Sequence, residues 1–290
     1  MSQDLLKVAI QGVPGSNHDI AVRDYFKNRE IELVTCMSFP ELFEAMDKSN
    51  DTIGMIAIEN TLVGGLLSNY TMLKEYDFKI FGEYKLRIKH QLMSLPGNDI
   101  TQIKEVHSHP MALAQCEEYF RNYPHIRLIE SEDTAYSAQK IKERNKEGVA
   151  AIASNLAAKL YDLEIIGKDI ETNKHNFTRF LAIGKEEQVN KLLVKSKVNK
   201  SSLVLSLPHE EGSLSKILTI LNFYKINLTK IQSLPIVGRE WEYLFYIDVM
   251  FDDYIRYQQS LDAIRPLCST LNSLGEYESA EEVFETNGDN

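Results

Sequence analysis

The run Ile53-Gly54-Met55-Ile56-Ala57-Ile58 is almost wholly apolar. A strand without alternation is one buried on both faces, and such strands belong to parallel sheets covered by helices. The residues before it fit that frame. Residues 7–10 read as a short strand, and Gln11-Gly12-Val13-Pro14-Gly15-Ser16 as the loop that follows. A helical pattern opens near Asn17 with Ile20, Ala21 and Tyr25. Residues 31–34 read as a second strand. Ser38, ahead of Pro40, Leu42, Phe43 and Met46, carries the signals of a capped helix. Strand, helix, strand, helix, strand predicts a parallel α/β sheet.

A second set follows. Residues 78–88, 103–107, 126–130 and 149–153 read as strands, and 111–120, 133–144 and 155–160 as helices. From His175 the chain enters a strand that returns to the first set. The picture is of two α/β lobes with a cleft between them, lobe 1 at about 1–77 plus 177–185 and lobe 2 at about 78–176. The lysine-rich stretch 186–200 has little core periodicity and reads as a surface linker. Beyond it, residues 203–207 form a strand and Gly212-Ser213 opens a helix with Leu214, Ile217, Leu218 and Leu221 on one face. Strands at 226–231 and 243–249, a helix at 254–265 and a strand at 271–274 complete a βαββαβ order over 201–278, the ferredoxin-like arrangement. Residues 279–290 read as a frayed acidic tail.

A chain of 290 residues is too long for one core of ordinary size, which agrees with more than one domain. No apolar run approaches the roughly 18 residues that span a bilayer, and residues 1–7 lack the pattern of a signal peptide. Cys36, Cys116 and Cys268 are odd in number and far apart, which fits a reducing cytoplasm and neither a disulfide framework nor a zinc site. The net charge of −10 argues against nucleic acid or an anionic membrane as a partner. It also means that an anionic substrate has to be held by local positive features.

Four segments carry candidate chemistry. In Gly12-Val13-Pro14-Gly15-Ser16, between strand and helix, backbone N–H groups can meet an anion, although a plain glycine turn explains the loop equally well. Glu59-Asn60-Thr61 follows the buried strand at the end that faces a cleft in open α/β sheets; capping of a following helix is the plainer use of Asn60 and Thr61. Ser108-His109-Pro110 offers Ser108 as an N-cap, with Gln115 two turns on along the same face. His107 and His109 have no third ligand nearby and so do not suggest a metal. Cys116 reads as a small buried hydrophobe. Finally, Thr178-Arg179-Phe180 begins the returning strand, with Thr178 and Phe180 on one face and Arg179 on the other.

In this order and spacing these segments resemble prephenate dehydratase, from about Val8 to Leu274. The resemblance rests on Gln11-Gly12-Val13-Pro14-Gly15, Ile58-Glu59-Asn60-Thr61, Gly82-Glu83, Ser108-His109-Pro110 with Gln115-Cys116, Asp133-Thr134-Ala135, Ala150-Ala151-Ile152 and Asn176-Phe177-Thr178-Arg179-Phe180. It implies a periplasmic-binding-protein-like pair of lobes and conversion of prephenate to phenylpyruvate without cofactor or metal. Glu59, Asn60, Ser108, Gln115 and Thr178 are then the expected catalytic residues, and Gly15, Ser16, Thr61, Arg179 and Phe180 the expected substrate-binding ones. Thr61 stands where the family usually has serine. Thr178 is expected to donate a hydrogen bond to the leaving hydroxyl, Arg179 to clamp a carboxylate or brace the site from behind, and Glu59 to serve as an acid should burial raise its pKa.

The C-terminal pattern resembles the ACT domain that binds L-phenylalanine. Gly212-Ser213-Leu214 matches its Gly-Ala-Leu turn, Asn227-Leu228 its Asn-Leu, and Gln232-Ser233-Leu234-Pro235 stands where Glu-Ser-Arg-Pro is usual. The implied effector is L-phenylalanine and the implied assembly a homodimer or homotetramer. With no helical chorismate mutase region before Val8, a monofunctional enzyme is expected. Two alternatives stay open: an arogenate dehydratase, or a non-catalytic binding protein that senses an amino acid.

Overall fold

A computed structural model describes residues 5–236, 238–239 and 242–280. Residues 281–290, most of the expected acidic tail, lie outside the described residues, as do 1–4. The described chain divides into two compact units, one formed by 5–65 and 84–180, the other by 66–83 and 181–280.

The chain opens with β1 (Leu6–Gln11), α1 (Asn17–Tyr25), β2 (Ile31–Cys36), α2 (Phe39–Asp47) and β3 (Thr52–Asn60). β1 pairs in parallel with both β2 and β3, as the sequence predicts. In β3 the first seven residues are all buried. Ser16 and Ser38 cap α1 and α2, accepting from the backbone N–H of Asp19 and Glu41. β4 (Gly64–Gly65) folds back on the end of β3, and α3 (Leu67–Glu75) leads to β5 (Lys79–Arg87).

Next come β6 (Gln91–Ser94), β7 (Glu105–Ser108), α4 (Pro110–Gln115), α5 (Glu117–Phe120), β8 (Arg127–Glu130), α6 (Thr134–Arg144), β9 (Val149–Ala153), α7 (Asn155–Leu160) and β10 (Glu164–Gly167). They build a five-stranded sheet in the order β10-β6-β9-β7-β8. β7 is parallel to β8 and β9, whereas β6 is antiparallel to β9 and β10. The sequence reading lacked β6 and β10, which are four residues each and do not alternate. Two details correct it. The helix expected over 111–120 is two helices, because Cys116 leaves helical geometry at φ −110°, ψ 5°. Its Sγ sits in the apolar core with Val106, Leu113 and Ile152. The break frees the Gln115 carbonyl, which accepts from Thr172 N–H at 2.9 Å. And Ser108 is not the N-cap: its hydroxyl donates to Ile152 O at 2.7 Å within the sheet, and His109 caps α4 instead.

β11 (Phe177–Gly184) completes a sheet in the order β2-β1-β3-β11-β5, with β4 on β3. The stretch read as a linker is structured. It holds α8 (Glu186–Leu192), whose Val189 is buried, and ends in Lys200, the first residue of the next strand and itself buried.

The second unit carries β12 (Lys200–Ser206), α9 (Ser213–Phe223), β13 (Asn227–Pro235), β14 (Tyr243–Met250), α10 (Tyr254–Ile264) and β15 (Thr270–Tyr277). The βαββαβ order forms a four-stranded sheet, β13-β14-β12-β15, antiparallel at each pairing. Leu203, Leu205, Ile217, Leu221, Ile247 and Tyr257 are among its core residues. Residues 66–83 pack into this unit. Glu83, fully buried, meets Lys200 Nζ at 2.9 and 3.0 Å and accepts from Ala280 N–H at 2.8 Å. Tyr70 lies 5.1 Å from the Tyr246 ring. At Gly275 the backbones approach so closely that a Cβ would stand 2.1 Å from Ile80 O.

Candidate active site

β3 delivers Asn60 at its end, β11 delivers Thr178 at its start, and the break after α4 fixes Gln115. Thr61 fastens the first two together. Its N–H donates to Phe177 O at 2.9 Å, its hydroxyl donates to His175 O at 2.9 Å, and the same oxygen accepts from Phe177 N–H at 3.0 Å.

The hydrogen bonds between these side chains have one direction. Asn60 Oδ1 accepts from the backbone N–H of Leu62 at 2.9 Å and of Val63 at 3.1 Å. Backbone nitrogens can only donate, so Asn60 must turn its amide nitrogen the other way. That nitrogen donates to Asn176 Oδ1 at 2.8 Å and to Thr178 Oγ1 at 2.9 Å. With its oxygen engaged, Asn176 donates from Nδ2 to Gln115 Oε1 at 2.8 Å. His90 Nε2 stands 2.8 Å from that same oxygen. Two groups are thereby left with hydrogens to give: the Thr178 hydroxyl, whose oxygen already accepts, and the amide nitrogen of Gln115. Such a surface suits a ligand rich in oxygen acceptors. His90 is buried and its pKa is lowered, chiefly by desolvation, with the Gln115 hydrogen bond opposing.

The other expected residues lie around this relay in different ways. Arg179, nearly buried, pairs with Glu59 Oε1 at 3.1 Å on the strand face opposite Thr178. Glu59 thus serves as an acceptor for guanidinium hydrogens. Gly15 and Ser16 sit at the head of α1 with their polar groups engaged: Gly15 N–H donates to Asp19 Oδ2 at 2.8 Å, Ser154 Oγ donates to Gly15 O at 2.6 Å, and Ser16 Oγ accepts from Asp19 N–H at 3.3 Å. Gly15 also has φ +89° and lies against Ala157, where a Cβ would come within 2.8 Å of Cα. The buried Asp19 carboxylate occupies this helix head, so an anchoring anion has little left to bind there. Ser108 is fully buried, and Phe180 is 1% exposed with its ring edge-on to His18 at 5.0 Å. Local positive charge gathers instead in a cavity of about 370 Å³ lined by Arg87, Lys89 and Lys168 with Asp169. Burial raises the pKa of the Cys116 thiol, which leaves it a poor nucleophile. No cluster of three or more metal-ligating side chains occurs among the described residues.

Two relay members carry no role in the sequence reading. Asn176 was legible, since strand alternation sets 176 and 178 on one face. His90 was not, because a single histidine between strands has no local signature. In the second unit, Gly212 caps α9 with φ +77°, Ser213 and Leu214 open that helix, and Asn227 and Leu228 open β13. Gln232 donates to Ser233 O at 3.1 Å on that strand, which ends the sheet.

The family model for prephenate dehydratase matches residues 8–188. The chain belongs to the prephenate dehydratase family. It is 35% identical over 287 residues to arogenate dehydratase/prephenate dehydratase 2, chloroplastic, of Arabidopsis thaliana, covering 94% of this chain and 72% of that one. Among solved structures it resembles prephenate dehydratase of Arthrobacter aurescens in complex with L-Phe (TM-score 0.82, 24% identity, 94% of this chain and 90% of that one). It also resembles GqqA, described as a novel type of quorum quenching acylase (TM-score 0.83, 25% identity, 95% and 98%). This member of the prephenate dehydratase family is thus an enzyme, a lyase with prephenate or arogenate dehydratase activity in aromatic amino-acid biosynthesis. No helix among the described residues is long and apolar enough to cross a membrane.

Proposed function

We propose that the enzyme acts on prephenate, giving phenylpyruvate, and that Thr178 and Gln115 are the groups that meet the reacting substrate. The observation that carries this reading is the one-way relay, which leaves the Thr178 hydroxyl and the Gln115 amide as donors. In the reaction the bond from the ring to its carboxylate breaks and carbon dioxide leaves. The electron pair flows through the ring and expels the ring hydroxyl, which takes up one proton from solvent and departs as water. A free alcohol is too weak an acid to supply that proton outright. Thr178 instead polarises the carbon–oxygen bond through a hydrogen bond that strengthens as charge builds on oxygen. Gln115 donates to the substrate's oxygens and fixes its orientation. Arg179, held by Glu59, braces the strand that carries Thr178. Ser108 acts from within the sheet, keeping the entry to α4 in register with β9. Gly15 and Ser16 shape the head of α1, and Phe180 packs edge-on to His18 in the core beneath β11.

The architecture we infer is a pair of periplasmic-binding-protein-like lobes followed by a ferredoxin-like ACT domain. L-phenylalanine inhibits through Gly212, Ser213, Leu214, Asn227, Leu228, Gln232 and Ser233, in a homodimer or homotetramer. The L-Phe complex of the Arthrobacter relative supports this, as does the βαββαβ order. Gln232 and Leu234, in place of the usual charged pair, alter the affinity for the effector.

Purified enzyme is to be incubated with prephenate and with arogenate, with and without L-phenylalanine, while phenylpyruvate and phenylalanine are quantified. Phenylpyruvate from prephenate, suppressed by L-phenylalanine, is expected. Faster product from arogenate would overturn the substrate assignment. No product from either would leave a sensor of amino acids as the better account.

A further inference from the structure

We propose that His90 is a positioning residue: its Nε2–H holds Gln115 Oε1 and so locks the Gln115 amide with its hydrogens toward the substrate. The direction follows from chemistry already fixed at the far end of the relay. Two backbone N–H groups orient Asn60, Asn60 orients Asn176, and Asn176 donates to Gln115 Oε1. An oxygen that is acceptor only forces the histidine nitrogen beside it, at 2.8 Å, to be the protonated one. The main chain that carries the ring is well held for this task. His90 N–H donates to Glu171 Oε2 at 2.9 Å, and His90 O accepts from Ile170 N–H at 2.8 Å. His90 is 4% exposed, so water does not compete for Gln115 on that side. A glutamine amide with one restraint can turn over and present oxygen in place of nitrogen. With Asn176 and His90 both donating to one oxygen, that inversion breaks two hydrogen bonds at once.

The donor relation stands on geometry alone, whereas its part in turnover rests on the dehydratase reading above. Three variants separate donor from shape. His90→Gln can still donate, His90→Leu can neither donate nor accept, and His90→Glu presents an acceptor to the Gln115 oxygen. For each, kcat and KM with prephenate are measured beside the melting temperature. The side-chain amide signals of Gln115 are followed by ¹⁵N–¹H NMR without substrate and identified by their loss in Gln115→Glu. We expect kcat to fall by about tenfold or more in His90→Leu, further in His90→Glu, and least in His90→Gln. The Gln115 amide signals should move in His90→Leu and His90→Glu and stay near their native positions in His90→Gln. His90→Gln no better than His90→Leu, or signals unmoved in His90→Leu, would overturn the proposal. Should His90→Leu fail to fold, the comparison of His90→Gln with His90→Glu decides by the same criteria. Should the wild type not turn over prephenate, the dehydratase reading fails and the NMR comparison alone decides the donor relation.

Discussion

Thr178→Val is the substitution that most directly tests the site. Valine keeps the branched shape and removes the hydroxyl. Two losses follow, one to the fold and one to the reaction. Asn60 loses one acceptor at 2.9 Å but keeps Asn176 Oδ1 at 2.8 Å, so the folded state gives up about 1–3 kcal/mol for an amide hydrogen left without a partner. The reaction loses a donor aimed at the oxygen on which charge develops, which is worth about 10²–10³ in kcat, or roughly 2.7–4 kcal/mol. Turnover should therefore fall by about 10²–10³ in a protein that still folds. The assay is the initial rate of phenylpyruvate formation at saturating prephenate, read with a thermal melt of the same preparation. Thr178→Ser keeps the hydroxyl and should stay within about tenfold of wild type, its loss reflecting the freer rotor of serine. A Thr178→Val enzyme within threefold of wild type and folded would refute the assigned role. So would a Thr178→Ser enzyme as slow as the valine variant, since the hydroxyl would then not be what matters.

Asn60→Asp replaces a donor by acceptors, so the Thr178 hydroxyl should turn to donate inward; we expect kcat to drop about 10²-fold by steady-state kinetics, with KM changing less. Lys200→Met strips the buried Glu83 of its lysine and should cost about 3–5 kcal/mol in denaturant unfolding, while the double change with Glu83→Gln should recover most of it. His18 accepts Ala57 N–H at 3.3 Å inside the core, and burial lowers its pKa from 6.5 to about 3. Its folded pKa lies below its unfolded one, so the unfolded chain takes up more protons in that window. Stability contributed by neutral His18 is complete above pH 6.5 and drains away as pH falls toward 3, by on the order of 5 kcal/mol at 1.36 kcal/mol per decade. His18→Gln should flatten that slope in urea melts taken from pH 7 to 4.

What the sequence made legible was what local chemistry writes. The apolar run at β3 announced a strand buried on both faces, and Ser16, Ser38 and Asp133 marked helix starts that the structure keeps. Alternation correctly separated Thr178 from Arg179, and with it the relay from the ion pair. What stayed hidden depends on partners distant in the chain. Ser108 looked like a cap, but Ile152, 44 residues on, offered its hydroxyl a carbonyl in the sheet. His90 gained its place only when Gln115 was brought to it, and Glu83 only when Lys200, 117 residues on, closed over it. The turn at Cys116 interrupts a pattern that reads as continuous helix, and the Gln115 carbonyl there meets Thr172 N–H, a partner distant in the chain, while the thiol lies in the core.

The packing of residues 66–83 with the C-terminal sheet bears on how such enzymes can be recombined. The segment that identifies the family, 8–188, contains Tyr70, Ile80 and Glu83 but not their companions Tyr246, Gly275 and Lys200. A chain cut after 188 would expose the face of α3 that meets Tyr246 and leave the Glu83 carboxylate without Lys200. Exchange of regulatory halves between two relatives meets the same obstacle at a junction near 188. The graft has to carry two separate pieces, 66–83 and the residues beyond 181, so that the donor's glutamate meets the donor's lysine.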